Sequence, residues 1–160
     1  MSSSRVIDQV TLDQVTTLAQ ATPRRRKNMN FHENEQDASH RLLNGVEPGS
    51  YIPPHRHQDP TKDESIVVLR GTLGALFFDE KGNVTEIARL VPGGPQVMIN
   101  VPHGTFHTVV ALEPGTVFFE AKAGPYQALT AEERAPWAPL ENEPEAAGYL
   151  SKLEKMLLAP

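Results

Sequence analysis

The stretch Gly49-Ser50-Tyr51-Ile52-Pro53-Pro54-His55-Arg56-His57-Gln58-Asp59-Pro60-Thr61-Lys62-Asp63-Glu64, continuing through residues 65–70 to Gly71, decides how the chain is read. In extended backbone, positions i and i+2 project to the same face, so His55 and His57 point together. Glu64 opens a β-rich run in which alternation sends Glu64, Ile66 and Val68 to one face and Ser65, Val67 and Leu69 to the other. A carboxylate at the head of an apolar strand needs a counter-charge. Farther on, Val101-Pro102-His103-Gly104-Thr105-Phe106-His107-Thr108 makes a tight Pro-x-Gly turn that leads into another histidine. Folding these pieces into one barrel brings His55, His57, Glu64 and His107 together as four ligands of one metal ion.

The surrounding texture supports a barrel. Between residues 41 and 123, short β-rich runs at 41–46, 64–70, 72–78, 84–90, 96–101, 107–112 and 116–122 are separated by Gly and Pro turn signals such as Pro48-Gly49, Lys81-Gly82-Asn83, Pro92-Gly93-Gly94-Pro95 and Pro114-Gly115. Strands at this spacing predict a closed antiparallel sandwich or barrel, which limits exposed edges. Ahead of it, Val6, Val10, Val15, Leu18 and Ala19 recur at near-helical spacing, with Thr11 as the expected N-cap and Pro23 beyond the end, so a helix is predicted over 12–21. Behind it, a Pro-rich segment at 136–144 precedes a helical pattern at 145–158 with Leu150, Leu153, Met156 and Leu157 on one stripe. The reading is a mostly β, single-domain chain, a small β-barrel or jelly roll with flanking N- and C-terminal α-helices. Residues 1–40 hold the first helix and a basic, polar lead-in, 41–126 the barrel, and 127–160 the Pro-rich segment and last helix.

These residues carry a resemblance. Gly49-x5-His55-x-His57-x6-Glu64-x6-Gly71 resembles the first motif of the cupin superfamily, and Pro102-x-Gly104-x2-His107 the core of the second. Two departures stand out: the interval from His57 to Glu64 is longer than the usual three or four residues, and Ala111 stands where the pattern often has Asn. More narrowly, the chain is similar to the WbuC-type cupin fold metalloprotein family of bacteria, some of whose members lie among genes for O-antigen and surface-polysaccharide synthesis. The carrying segments are Pro23-Arg24-Arg25-Arg26-Lys27-Asn28 with Asn30-Phe31-His32, Arg41-Leu42-Leu43-Asn44, Pro54-His55-Arg56-His57, Val68-Leu69-Arg70-Gly71, Leu112-Glu113-Pro114-Gly115-Thr116 and Gly124-Pro125-Tyr126. The resemblance implies a cupin fold and metal binding.

Composition narrows the chemistry. The 160 residues, 39% of them hydrophobic, suffice for one core. Fifteen basic against 20 acidic residues leave a net charge of −5, which argues against a nucleic-acid partner. With no cysteine, disulfides, thiolate metal clusters and Cys nucleophiles are excluded, so any metal site uses nitrogen and oxygen donors. No apolar stretch approaches the roughly 20 residues of a membrane span, and residues 1–11 lack the apolar core of a secretory signal. The expected location is cytoplasmic.

Three neutral imidazoles and one carboxylate around a divalent ion leave a charge of about +1 and open positions for water or ligand. Such a donor set suits Zn, Fe, Mn, Ni or Co. The competing reading is a metal-free cupin using the same pocket. His103 is expected as a solvent-facing turn residue and His40 as structural, whereas His32 either serves structure or lines the pocket as an acid/base. Arg24, Arg25, Arg26 and Lys27 form either a solvated basic face or an anion clamp for carboxylate, phosphate or a nucleotide-sugar diphosphate. The chain lacks a Gly-rich phosphate loop. Asn44 joins the arginines as a candidate ligand contact, as does Tyr126, which either lids the cavity or packs against the last helix. Glu120 alternates with Phe119 and Ala121, so it faces either the cavity, as a second catalytic carboxylate, or solvent. The leading functional expectation is a metal that binds and activates a small oxygen-rich ligand, a sugar or carboxylate tied to surface-polysaccharide metabolism, with isomerase- or lyase-type chemistry aided by His32. An Fe(II)-dependent dioxygenase and a non-catalytic ligand-binding or accessory module are the alternatives. A homodimer is expected, with the 150–157 stripe as one surface to bury.

Overall fold

In a computed structural model, which describes residues 5–159, the element order is α1 (Gln9–Gln20), β1 (Arg26–Asn30), β2 (Ser39–Val46), β3 (Glu64–Arg70), β4 (Leu73–Phe78), β5 (Val84–Leu90), β6 (Met98–Val101), β7 (Phe106–Ala111), β8 (Thr116–Ala123) and α2 (Ala146–Leu158). The strands form two sheets, one ordered β1-β2-β8-β3-β6 and the other β5-β4-β7. Every strand pairing is antiparallel. Two facing antiparallel sheets with a helix at each end of the chain are the jelly-roll class expected of the sequence.

The layers follow from alternation. Val46, Ile66, Val68, Leu73, Ala75, Leu90, Val109 and Phe118 meet between the sheets as one core. The outer face of the small sheet is covered by α2 and the segment before it, where Leu76, Phe78, Phe106 and Val110 pack on Ala135, Leu150, Leu153 and Leu157. The outer face of the large sheet is partly covered by α1, through Leu12 and Val15 on Leu43 and Val117. With both faces covered, β7 is buried at all six positions, so its sequence reads as an unbroken run (Phe106-His107-Thr108-Val109-Val110-Ala111) and not as alternation.

Several local expectations change. Arg26–Asn30, which its composition marks as a polar lead-in, is a strand, because an edge strand paired on one side with β2 can carry exposed polar residues, with Arg26 reaching the inner cavity, without an apolar pattern. The N-cap of α1 is Asp8, not Thr11: the Asp8 carboxylate accepts from the Thr11 N–H at 3.0 Å and the Thr11 hydroxyl at 2.9 Å, which places Thr11 inside the first turn. Val6 and Val10 are consequently exposed and the buried stripe is Leu12, Val15 and Ala19. The stripe on α2 is used within the chain, with Leu150, Leu153 and Leu157 buried against β4 and β7, so it offers no surface to a second copy.

Candidate metal centre

His55 sits on an extended strap laid across the end of β7. Its N–H donates to the His107 carbonyl at 3.1 Å and the His107 N–H donates back to the His55 carbonyl at 2.9 Å. On the strap's other side, the Arg56 N–H donates to Glu133 O (2.9 Å) and the Ala135 N–H to Pro54 O (3.2 Å). His57 is fixed by the turn that precedes β7: the Gly104 N–H donates to the His57 carbonyl at 2.7 Å, with Gly104 at φ 77°, a conformation that glycine adopts without strain. Glu64, first residue of β3, pairs with Val101 on β6 and Lys122 on β8, which directs its carboxylate between the sheets.

These local constraints bring four donors to one place. The ligand atoms of His55, His57 and Glu64 all lie within 4.8 Å of one another. Glu64 Oε2 is 3.3 Å from His57 Nε2 and 3.5 Å from His107 Nε2, and the His55 and His107 rings are 4.7 Å apart. His55 Nδ1 lies 3.0 Å from Pro53 O and His107 Nδ1 2.9 Å from Thr105 O. A carbonyl only accepts, so both rings carry their proton on Nδ1 and turn the Nε2 lone pair inward. His57 Nε2 and Glu64 Oε2 are buried and lack a well-formed hydrogen bond. Buried polar atoms without partners are destabilising; three imidazole nitrogens and one carboxylate oxygen converging in this way fit a divalent ion, which would satisfy them together.

The electrostatics favour a neutral His55 and an ionised Glu64. Burial, then the neighbouring His107, pushes His55 down to about 3, so it stays neutral and its lone pair is available. Burial alone would raise the Glu64 carboxyl, but the adjacent His107 and His57 imidazoles hold it well below the ordinary range; burial would lower His107, and the Glu64 carboxylate beside it raises it. Glu120 is driven the other way, upward, by burial and by the nearby Glu64 charge.

Beside the four donors is a cavity of about 210 Å³ whose lining includes Arg26, Asn44, Glu64, His107, Glu120 and Lys122. Glu120 therefore faces inward, taking a hydrogen bond from Asn44 Nδ2 (3.1 Å) and standing 2.7 Å from Lys122 Nζ. A second space of about 220 Å³, lined by His40, His55, His57, Lys62, Lys122, Tyr126 and Glu133 among others, forms a vestibule. His55 and Lys122 border both spaces.

The remaining candidates are dispersed. Arg24 and Arg26 both fork onto one internal carboxylate, Glu141, at 2.8–2.9 Å, and Arg26 also donates to Ser50 Oγ and Tyr51 O. The structure thus closes these two forks on the chain's own acid. Arg25 is turned away, donating to Pro48 O. His32 stacks on His40 with ring centroids 4.0 Å apart and lines a different, outer cavity with Arg5 and Arg41. His40, not His32, is the ring beside His55 and His57. Tyr126 is 55% exposed at the rim of the vestibule and is absent from the core beneath α2. His103 is exposed and bonded to Asp63 at 2.8 Å. Neither Lys62 nor Glu141 belongs to a motif in the sequence. The lengthened interval after His57 was a signal for the first, while nothing local marks Glu141, which lies 115 residues from Arg26.

Comparison with known proteins supports the fold. The model of a family described as a domain of unknown function, DUF6016, matches residues 7–90. Among solved structures, KdgF from Halomonas sp. shares 20% identity over 67% of this chain and 85% of its own, with a TM-score of 0.51. A conserved protein of unknown function from Streptococcus pyogenes shares 13% identity over 79% of this chain and 93% of its own, with a TM-score of 0.52. A cupin-superfamily protein from Desulfitobacterium hafniense shares 16% identity over 68% of this chain and 86% of its own, with a TM-score of 0.50. No curated protein matches the sequence. The fold is that of the cupins, and among the described residues no helix is long and apolar enough to cross a membrane. The chain belongs to the DUF6016 family.

Proposed function

We propose that this DUF6016-family cupin holds one divalent metal ion on His55, His57, Glu64 and His107 and uses it to bind and transform a small oxygen-rich ligand, a sugar or carboxylate. The observation that carries the reading is the convergence of His57 Nε2 and Glu64 Oε2, both buried and unpartnered, with the Nε2 side of His107. The ion would act as a Lewis acid on a ligand oxygen.

The chain's own groups supply the rest. The cavity of about 210 Å³ limits the ligand to a small molecule. Lys122 adds positive charge and Asn44 orients Glu120. Glu120, rather than His32, is the proton-handling residue of this proposal, since it lies in the cavity and burial and the Glu64 charge raise its carboxyl. The WbuC-type resemblance supports a ligand from surface-polysaccharide metabolism, and the cytoplasmic location expected of the sequence is proposed with it. Leu69, Val97 and Met98, exposed beside the edge strand β6, support a homodimer through that side of the large sheet.

The test is to reconstitute untagged protein separately with Zn, Fe, Mn, Ni and Co and follow sugar acids and small carboxylates for turnover by NMR. Turnover is expected with at least one metal, and Glu120→Gln should lower it by about 100-fold or more with metal content unchanged. Binding without turnover under every metal would support the accessory-module reading, and oxygen consumption confined to the iron form would support the dioxygenase.

A further inference from the structure

The interval between His57 and Glu64 contains six residues, Gln58-Asp59-Pro60-Thr61-Lys62-Asp63. They form a compact turn. Asp59 accepts from the Thr61 N–H at 2.9 Å and the Thr61 hydroxyl at 2.7 Å, and the Lys62 N–H closes back on Asp59 O at 2.9 Å. The turn carries Lys62 inward. Its side chain is 7% exposed, lines the vestibule beside His55 and His57, and donates to the carbonyls of Pro125 and Ala123.

An ammonium buried to this extent ordinarily has a carboxylate partner. Among the described residues Lys62 has none: the eight ion pairs join other groups. Glu133, the carboxylate on the same wall, gives its oxygens to the backbone N–H groups of Gln58 (2.9 Å) and Thr130 (3.0 Å). Lys122 is taken by Glu120. His40, 4% exposed, adds an unsatisfied group to this wall, its buried Nε2 having no hydrogen-bond partner.

We infer that the vestibule is an oxyanion subsite in which Lys62 Nζ, with the His40 ring beside it, holds a carboxylate or phosphate of the same ligand whose other oxygens reach the metal cavity. His55 and Lys122 border both spaces, so the proposed subsite adjoins the metal cavity. The inference rests on the metal-centred reading for the ligand's inner end and narrows the ligand class to one with an acidic group. The turn between His57 and Glu64 thereby becomes a specificity element.

The experiment is calorimetric titration with succinate and with inorganic phosphate, each on metal-free and on zinc-loaded protein, for the parent, Lys62→Met, Lys62→Gln and Lys62→Arg. Bound metal and melting temperature are measured on every sample. The parent should bind one probe measurably on both preparations, which identifies the anion as carboxylate or phosphate. Lys62→Met and Lys62→Gln should each weaken it about tenfold or more, and Lys62→Arg should stay within about threefold, with metal content unchanged. The glutamine variant separates charge from tether: it keeps a donor toward Pro125 O, so a purely structural lysine predicts parental affinity there. Parental affinity in Lys62→Gln, or no binding of either probe by the parent, overturns the inference. Absence of metal from zinc-treated parent counts against the metal-centred reading instead, and the titration of metal-free protein still judges Lys62.

Discussion

Glu141 is a carboxylate between two guanidinium forks, and its titration can be followed apart from the metal site. Burial by itself pushes its carboxyl up, but hydrogen bonds from Arg24 and Arg26 hold it at about 2. A carboxyl depressed in the folded state contributes stability that is present above its unfolded value, near 4.5, and lost as pH falls toward 2. Arg24 is largely exposed, so the pair is screened and Glu141→Gln should cost only about 1 kcal/mol at neutral pH. That difference from the parent should shrink between pH 4.5 and pH 2 in urea titrations; a constant difference across the range would contradict the clamp. The same contact shows why the basic run at Arg24–Arg26 was ambiguous in sequence. Its partner comes from the far end of the chain, and no local pattern records a pairing across that separation. His55, His57 and His107 were legible because the motifs that carry them are short and local, fixed by strand alternation and one turn.

At the scale of elements, α1 is held to the large sheet by a close backbone approach. A Cβ at Gly45 would stand 2.8 Å from Val15 O and 3.2 Å from Ala19 Cβ, and neither the helix carbonyl nor the strand can yield freely. Gly45→Ala should therefore lower stability by about 1–3 kcal/mol and loosen α1, read as faster amide exchange across Gln9–Gln20 with little change at β7. Unchanged exchange in α1 would show that the helix is held mainly by other contacts. Strands β3 and β5 were readable to their end residues because turn glycines and prolines punctuate an apolar alternation. Two things were not readable. Strand β1 is an edge strand with exposed polar residues and no apolar alternation, and the cap of α1 fell to Asp8 because both Asp8 and Thr11 are capping residues three positions apart.

For the whole molecule, the two sheets present three imidazoles and a carboxylate beside the core, with Glu120, Lys122 and Lys62 lining the adjoining spaces. The fold class and the convergence of the donors could be anticipated because histidine spacing and a Pro-x-Gly turn constrain backbone directly. The allocation of the surrounding charges could not, since each depends on which long side chain reaches which carboxylate after folding. The most direct test of the central claim is elemental analysis by mass spectrometry of untagged protein purified without chelator, beside a His55→Ala/His57→Ala variant confirmed as folded. Near one equivalent of a divalent metal per chain in the parent and almost none in the variant is the predicted result. A parent that carries no metal and takes up none of Zn, Fe, Mn, Ni or Co on reconstitution would contradict it.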